Sequence, residues 1–587
     1  MRRYWVVALA VLTLLGVLSP PVFAQAPKVT ITGFIDNVVN YSRNMSQFDN
    51  PASIATNVRG GITNPSDDEM VARTRGRFDI IGEVGKAKGV LGLEIDLNYG
   101  QVGGADNADG HAIQRFGTSG GLDANTDIRS VIEIKWMYVD FPFSGPGSLL
   151  PFIPLPGSLT VGGQPYGLGL KPSILADSDF GGATLRMTVS PTLKGSFTLA
   201  TFEEDSVGHQ NFNGTAVPPA GTPPFGRGDD WGLILKPDWQ ATKELRVSPI
   251  YAFQMIQGTT SVVLRRAIGG YGVGSANFSP DLSAASVVTA CRGTAAANVP
   301  CQTQEENRHW IGFDARWAQG PLYVAPTFFY QWGDRERFES AGEPGANSAA
   351  LRRRSADINA WILDVEAGYR VGPLLLQARA MYTSGNKASD NLNEEIHYYQ
   401  PFQVDSTYYF GWGETVPLSS IDYFQGLYTT VAGLFEGTNI GYDRYGRSQF
   451  SVKGTYDLTP AFSVYGIITP MWTARAVPTN NGVVTTGGIL CIDNPGTAPV
   501  AHTCTRRDDG DDSYLGTDLA LGFTWKFAPG LTFDWIYGLL VPGGAYDNVR
   551  DVCISSTATG ICGGIGVLDK REAQNVYTTS ARVRYSW

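Results

Sequence analysis

The feature that most constrains the fold is a strict period of two that recurs in paired segments, joined by connections that are either very short or very long. In "RTRGRFDIIGEVGKAKGVLGLEIDLNYG", Arg73, Arg75, Arg77 and Asp79 share one parity, and Thr74, Gly76, Phe78 and Ile80 share the other. After "GKAKG" the pattern returns, with Glu94, Asp96 and Asn98 opposed to Leu93, Ile95, Leu97 and Tyr99. Side chains of a strand alternate between two faces, so each arm has one polar and one apolar side. The same hairpin recurs in "WILDVEAGYRVGPLLLQARAMY", "QFSVKGTYDLTPAFSVYGI" and "GTDLALGFTWKFAPGLTFDWIYGLL".

One such hairpin would suit a soluble sandwich, but the spacing of the whole set decides otherwise. Candidate strands fall at 28–41, 69–83, 89–100, 128–141, 158–164, 182–190, 193–203, 230–237, 244–256, 308–318, 321–332, 357–371, 373–383, 447–456, 461–474, 516–527, 531–541 and 574–587. Long connections rich in Gly, Asn, Ser, Asp and Pro occupy 42–68, 101–127, 204–229, 257–307, 384–446, 475–515 and 542–573. Alternation of short and long connections between strands of about ten residues predicts an all-β chain: a transmembrane antiparallel β-barrel with short periplasmic turns and long extracellular loops. The count is eighteen, with sixteen as the alternative, and an even number brings both ends to the periplasmic side. The stretch 421–446 has the composition to add another pair.

The N-terminal segment agrees with export. Arg2 and Arg3 precede an apolar run from Trp5 to Leu18 and small residues at Ala24 and Ala26, the layout of a secretory signal peptide over 1–24, with cleavage after 26 as the other reading. The remainder, 25–587, reads as a single barrel domain. Beyond residue 26 no apolar run reaches the ~18 residues of a spanning helix. With 70 Gly, 26 Tyr, 28 Phe and 13 Trp but 17% charged residues, the composition favours strands and turns. A net charge of −10 argues against a nucleic-acid partner.

Six cysteines pair by proximity in sequence as Cys291–Cys301, Cys491–Cys504 and Cys553–Cys562, each at or near a long loop, and three local disulfides suit an oxidising compartment. Metal binding has no CxxC spacing behind it. The acidic runs "RRDDGDD" and "ADNADG" match no complete Ca²⁺ loop and read as solvated charge. Neither a resident metal nor a cofactor is expected. Catalysis is not expected either: of the five His, only His309 lies near a strand start, and neither GxSxG before a helix nor HExxH occurs.

At this point the chain resembles Gram-negative outer-membrane porins. "RGRFDIIGEV" with "GVLGLEIDL" resembles the second and third strands of general porins, and "EIKWMYVDF" with "GSLTVGGQPYG" resembles the next hairpin. "DSDFGG" at 177–182 is similar in placement to the end of an inward-folded constriction loop, which makes Asp177 and Asp179 constriction candidates. The eighteen-strand count and "MYTSGN" also resemble alginate-export channels. The resemblance implies passive diffusion of small hydrophilic solutes or ions through an aqueous channel in outer-membrane lipid. Its alternatives are a substrate-specific or polysaccharide-export channel, or an adhesive barrel with partner-binding loops. General porins are homotrimers, whereas many eighteen-stranded specific channels are monomers.

Inside such a barrel the polar parity faces water. Arg73, Arg75 and Arg77 form a basic ladder, and Arg129, Lys135, Arg186 and Arg379 share the inward parity with the acids Glu94, Asp96 and Glu133. Arg75 is expected to meet Asp96, and the excess of arginine predicts a weak preference for anions. The aromatic stretch 394–428 reads as a loop that packs its own core or caps the barrel, with a stacking path for sugar rings as the rival. In the last segment Trp587, Tyr585, Val583 and Ala581 alternate with Ser586, Arg584 and Arg582. That segment is expected to close the barrel, with Tyr585 and Trp587 resembling the terminal assembly signature of outer-membrane barrels.

Overall fold

The computed structural model describes residues 28–43, 68–99, 132–167, 174–203, 230–257, 305–340, 351–387, 390, 395–404, 445–477, 480–484, 490–491, 510, 512–546, 548–556, 562–571 and 574–587. The export segment, Arg129, Cys291, Cys301, Cys504 and the 421–444 stretch lie outside the described residues.

The chain forms β1 (Lys28–Arg43), β2 (Asp68–Val84), β3 (Ala87–Tyr99), β4 (Ile132–Ser144), β5 (Gly157–Gly167), β6 (Ala176–Ser190), β7 (Leu193–Glu203) and β8 (Asp230–Gln240). It continues with β9 (Leu245–Gln257), β10 (Glu305–Gln319), β11 (Leu322–Ser340), β12 (Leu351–Val371), β13 (Leu374–Thr383), β14 (Glu395–Ile396), β15 (Gln403–Val404) and β16 (Ser448–Thr459). The last elements are β17 (Phe462–Val477), β18 (Asn480–Val484), β19 (Leu490–Cys491), β20 (Asp512–Ala528), β21 (Leu531–Pro542), β22 (Asn548–Ser556), β23 (Cys562–Arg571) and β24 (Val576–Ser586).

Twenty of these strands share one sheet; without the two-residue β14 and β15, eighteen remain, each paired antiparallel with its neighbours in chain order. β24 pairs back onto β1, from Phe34 opposite Ser586 to Arg43 opposite Tyr577. Closure leaves the main ladder without a free edge, so its backbone groups need neither water nor a partner chain. The short connections are two to four residues long and several turn on a left-handed glycine, as at Gly85 (φ 63°) and Gly372 (φ 56°), where a Cβ would be strained. The exception is 145–156, a folded knob pinned by Gly145 N to Ile153 O (3.0 Å) and Leu150 N to Phe143 O (2.9 Å).

Parity sorts the two faces. Ile31, Ile134, Ile311, Phe313, Leu363, Phe450, Leu521 and Val583 all stand exposed on the outside. Large apolar side chains exposed around a whole closed sheet have no aqueous solution, and lipid is the solvent that accepts them. Among the described residues no helix is long and apolar enough to cross a membrane; strands make the crossing.

Two features of the long connections go beyond what alternation marks. The connections 475–515 and 542–573 are not irregular throughout: β18, β19, β22 and β23 form a separate four-stranded sheet there. Strands also extend beyond the expected bounds, β11 to Ser340 and β12 back to Leu351, with Glu339 opposite Arg352. "RERFES" and "LRRRSAD" are polar on both parities, so alternation cannot mark them, although backbone pairing continues through them.

Candidate channel and its inner wall

Charge on the inner wall is paired strand to strand. The register sets Arg75 opposite Asp96 and Arg77 opposite Glu94. Buried Glu94 takes both arginines, Arg75 Nη2 at 3.1 Å and Arg77 Nε at 2.5 Å. Around the closure, Arg584 Nε donates to Asp36 Oδ1 (2.6 Å) and Arg582 Nη2 to Asp534 Oδ2 (2.7 Å). Asn40 Oδ1 accepts from Thr578 (3.0 Å) and Ser580 (2.7 Å). On the opposite side, Arg379 Nε reaches Asp364 Oδ2 at 2.8 Å. Such pairs on neighbouring rigid strands hold their charges at fixed positions, which an arginine on a loop could not do.

Other expected wall residues fall as follows. Arg73 and Glu133 stand at register positions opposite Asn98 and Glu94. Arg186 Nη1 donates to Thr160 Oγ1 (2.7 Å), and Lys135 pairs with Asp179 at 2.9 Å. Asp177 and Asp179 are therefore not on an inward loop. Both belong to β6 in the wall, opposite Gly167 and Pro165.

The inward segment comes instead from the connection after β13. Residues 395–404 form a strap across the interior: β14 pairs parallel with Asp357 and Ile358 of β12, and β15 pairs parallel with Ala176 and Asp177 of β6. Between these anchors, Gln400 O accepts from Trp310 Nε1 (3.0 Å) and Gln331 Nε2 (2.8 Å), Tyr399 OH donates to Ile174 O (2.9 Å), and Phe402 N donates to Leu175 O (2.8 Å). Tyr399 and Phe402 pack into a buried cluster with Ala200, Ile234, Ile250, Ala252, Trp310, Phe329, Ala360, Ile362 and Met381.

This apolar inner sector was not anticipated. Its signal is present in "IYAFQMI" on β9 and "AWILDV" on β12, where both parities are apolar, the mark of a strand buried on two faces. Below the strap the same strands turn polar again, as at Asp314 with Thr327 (2.7 Å) and Asp364 with Arg379. The paired charges Arg75, Arg77 and Glu94, Asp36 and Arg584, and Asp534 and Arg582 stand on β1–β3, β21 and β24, away from the strap's anchors on β6 and β12. At the short-turn end a cavity of about 750 Å³ is lined by Lys86, Asp140, Arg186, Lys194, Lys236 and Asp238 among others.

Cys491 lies on β19 and Cys553 and Cys562 on the β22–β23 hairpin, with Cys553 opposite Ile565 and Cys562 opposite Ser556. Among the described residues no group of three or more His, Cys, Asp or Glu is placed to hold a metal ion. Tyr585 on β24 and Trp587, just past its end, point outward with ring centroids 5.5 Å apart; the Trp587 ring also meets Phe78 at 5.5 Å, and the Trp587 backbone N–H donates to Gly33 O (3.2 Å).

A closed eighteen-stranded barrel with a lipid-compatible outside and a charged inside is a transmembrane β-barrel. No family model matches the chain, and no curated protein matches it. Among solved structures it is similar to Acinetobacter baumannii OccAB4, at 10% identity and a TM-score of 0.43, covering 97% of this chain and 100% of the other. It is also similar to Pseudomonas aeruginosa OccK8 (OprE) and to a BenF-like porin from Pseudomonas fluorescens Pf-5, each at 8% identity and a TM-score of 0.42, covering 95% of this chain and 98% of the other. At such identity and superposition these likenesses carry no argument, and the barrel stands on its own strand closure.

Proposed function

We propose that this chain is a Gram-negative outer-membrane porin through which small hydrophilic solutes diffuse passively. The observation that carries the proposal is the division of the interior: a strap and an apolar core fill one sector, while the column Arg77, Glu94, Arg75, Asp36, Arg584, Asp534 and Arg582 lines the other. Fixed, paired charges along a narrow wall favour hydrated polar solutes and orient their dipoles. Two arginines share Glu94, so the column leans toward anions.

The same strap favours a narrow, selective path over a wide export conduit, because it occupies cross-section that a polymer chain would need. Planar-bilayer recording of the purified protein tests the proposal. Discrete single-channel steps with a reversal potential displaced toward the anion are expected. A silent membrane containing folded protein would reject the diffusion channel.

A further inference from the structure

The loop end of β10 and β11 carries a group of buried cations that the solute column does not use. Glu306 accepts from two arginines at once, from Arg308 Nε and, at 2.8 Å, from Arg335 Nε. Arg308 is 0% exposed, Glu306 2%, Arg335 3% and the strap's Tyr398 0%. With Glu306 engaged, Arg308 Nη1, Arg308 Nη2, Arg335 Nη1 and the Tyr398 hydroxyl have no hydrogen-bond partner among the described residues. Tyr398 lies close enough to Arg335 to act on its charge, so the strap contributes to the same buried group.

Four buried donors without acceptors are costly, and two guanidinium groups on one carboxylate leave a charge of +1 in a dry setting. Glu305, Asp334 and Glu336 stand at neighbouring register positions of β10 and β11 but on the opposite parity from Glu306, Arg308 and Arg335, and the acid at the level of Glu306 on the same parity is Asp230, two strands away, which accepts from Gln254 Nε2 at 2.7 Å. Water could satisfy the donors but would leave the charge.

The register position beside Arg308 carries no side chain. It is held by Gly333 on β11, and a Cβ there would come 1.8 Å from Asn307 O at φ +156°. Glycine is required by the backbone, and the wall consequently has no side chain facing Arg308 at that point.

We infer that Arg308 and Arg335, with the Tyr398 hydroxyl, bind one small monovalent anion behind the strap. The anion neutralises the excess charge, accepts the free N–H and O–H donors, and ties the strap to β10 and β11. The site is separate from the solute column and requires only that the barrel and strap be folded.

Bromide is the probe. Crystals of the full chain soaked in sodium bromide should show an anomalous peak within hydrogen-bonding distance of both Arg308 and Arg335. In detergent, the melting temperature should be higher in chloride than in gluconate at equal ionic strength, since an anion bound only by the folded state stabilises it. Arg308→Gln should lose both the peak and the salt difference while the barrel keeps its heat-modifiable mobility. If that variant fails to fold, the wild-type measurements decide alone. No bromide peak, a water or a protein carboxylate in its place, or equal melting in the two salts would overturn the assignment.

Discussion

The indole of Trp310 donates to the backbone carbonyl of Gln400 at 3.0 Å, across ninety residues of chain. This bond joins the barrel wall to the middle of the strap, and Gln331 Nε2 supplies a second bond to the same oxygen.

Removing both donors tests whether the strap bounds the path. Trp310→Phe with Gln331→Leu leaves a buried carbonyl unsatisfied, at about 1–3 kcal/mol. Single-channel records should become noisier, with higher open conductance. Replacing 395–404 by a Gly-Ser spacer should raise conductance further, and unchanged conductance in both variants would place the narrowest point elsewhere.

Glu94 governs the charge of the column. Glu94→Gln replaces the carboxylate shared by Arg75, 6% exposed, and Arg77 with a neutral amide. Breaking a buried pair from one side costs about 3–5 kcal/mol, so the urea midpoint should fall while the reversal potential moves further toward the anion. Changing Arg73, Arg75 and Arg77 to Ala should move it the other way; an unmoved potential would remove the ladder from the selectivity argument.

Orientation of the wall predicts opposite tolerances on its two faces. Leu521 is 55% exposed on the outside, and Leu521→Arg should cost about 2–4 kcal/mol where the strand crosses the bilayer centre. Thr455→Arg, on the inner parity two residues from Lys453, should fold nearly as well as wild type. Refolding into lipid vesicles, read by heat-modifiable electrophoretic mobility, separates the two.

The closing strand makes a prediction about assembly. Trp587 stacks near Phe78 and Tyr585, and such aromatic pairs contribute about 0.5–1.5 kcal/mol each beyond their buried area. Trp587→Ala should lower the amount of folded protein in the membrane before it alters conductance. Wild-type levels of folded protein would show that the ring is dispensable.

Much of this was legible in the chain itself. Alternation at Arg73, Arg75 and Arg77 against Phe78 and Ile80 assigned faces, and the eighteen candidate segments coincide with the eighteen barrel strands. Their ends were less legible, because "LRRRSAD" pairs through its backbone while its side chains follow no period. The disulfide pairings stay where the spacing left them.

Residues 395–404 show what only the tertiary structure decided. Their aromatic content was plain, yet nothing local sends Tyr399 to Ile174 O, 225 positions away, or Gln400 to Trp310 and Gln331. Period-two alternation is a local consequence of strand geometry, so the sequence determined where the strands run, which face each side chain takes and that the sheet closes as a barrel, while the choice between sixteen and eighteen strands waited on the pairing. Which segment fills the interior, and which arginines share one carboxylate, depends on contacts between distant strands that exist only once the barrel has closed.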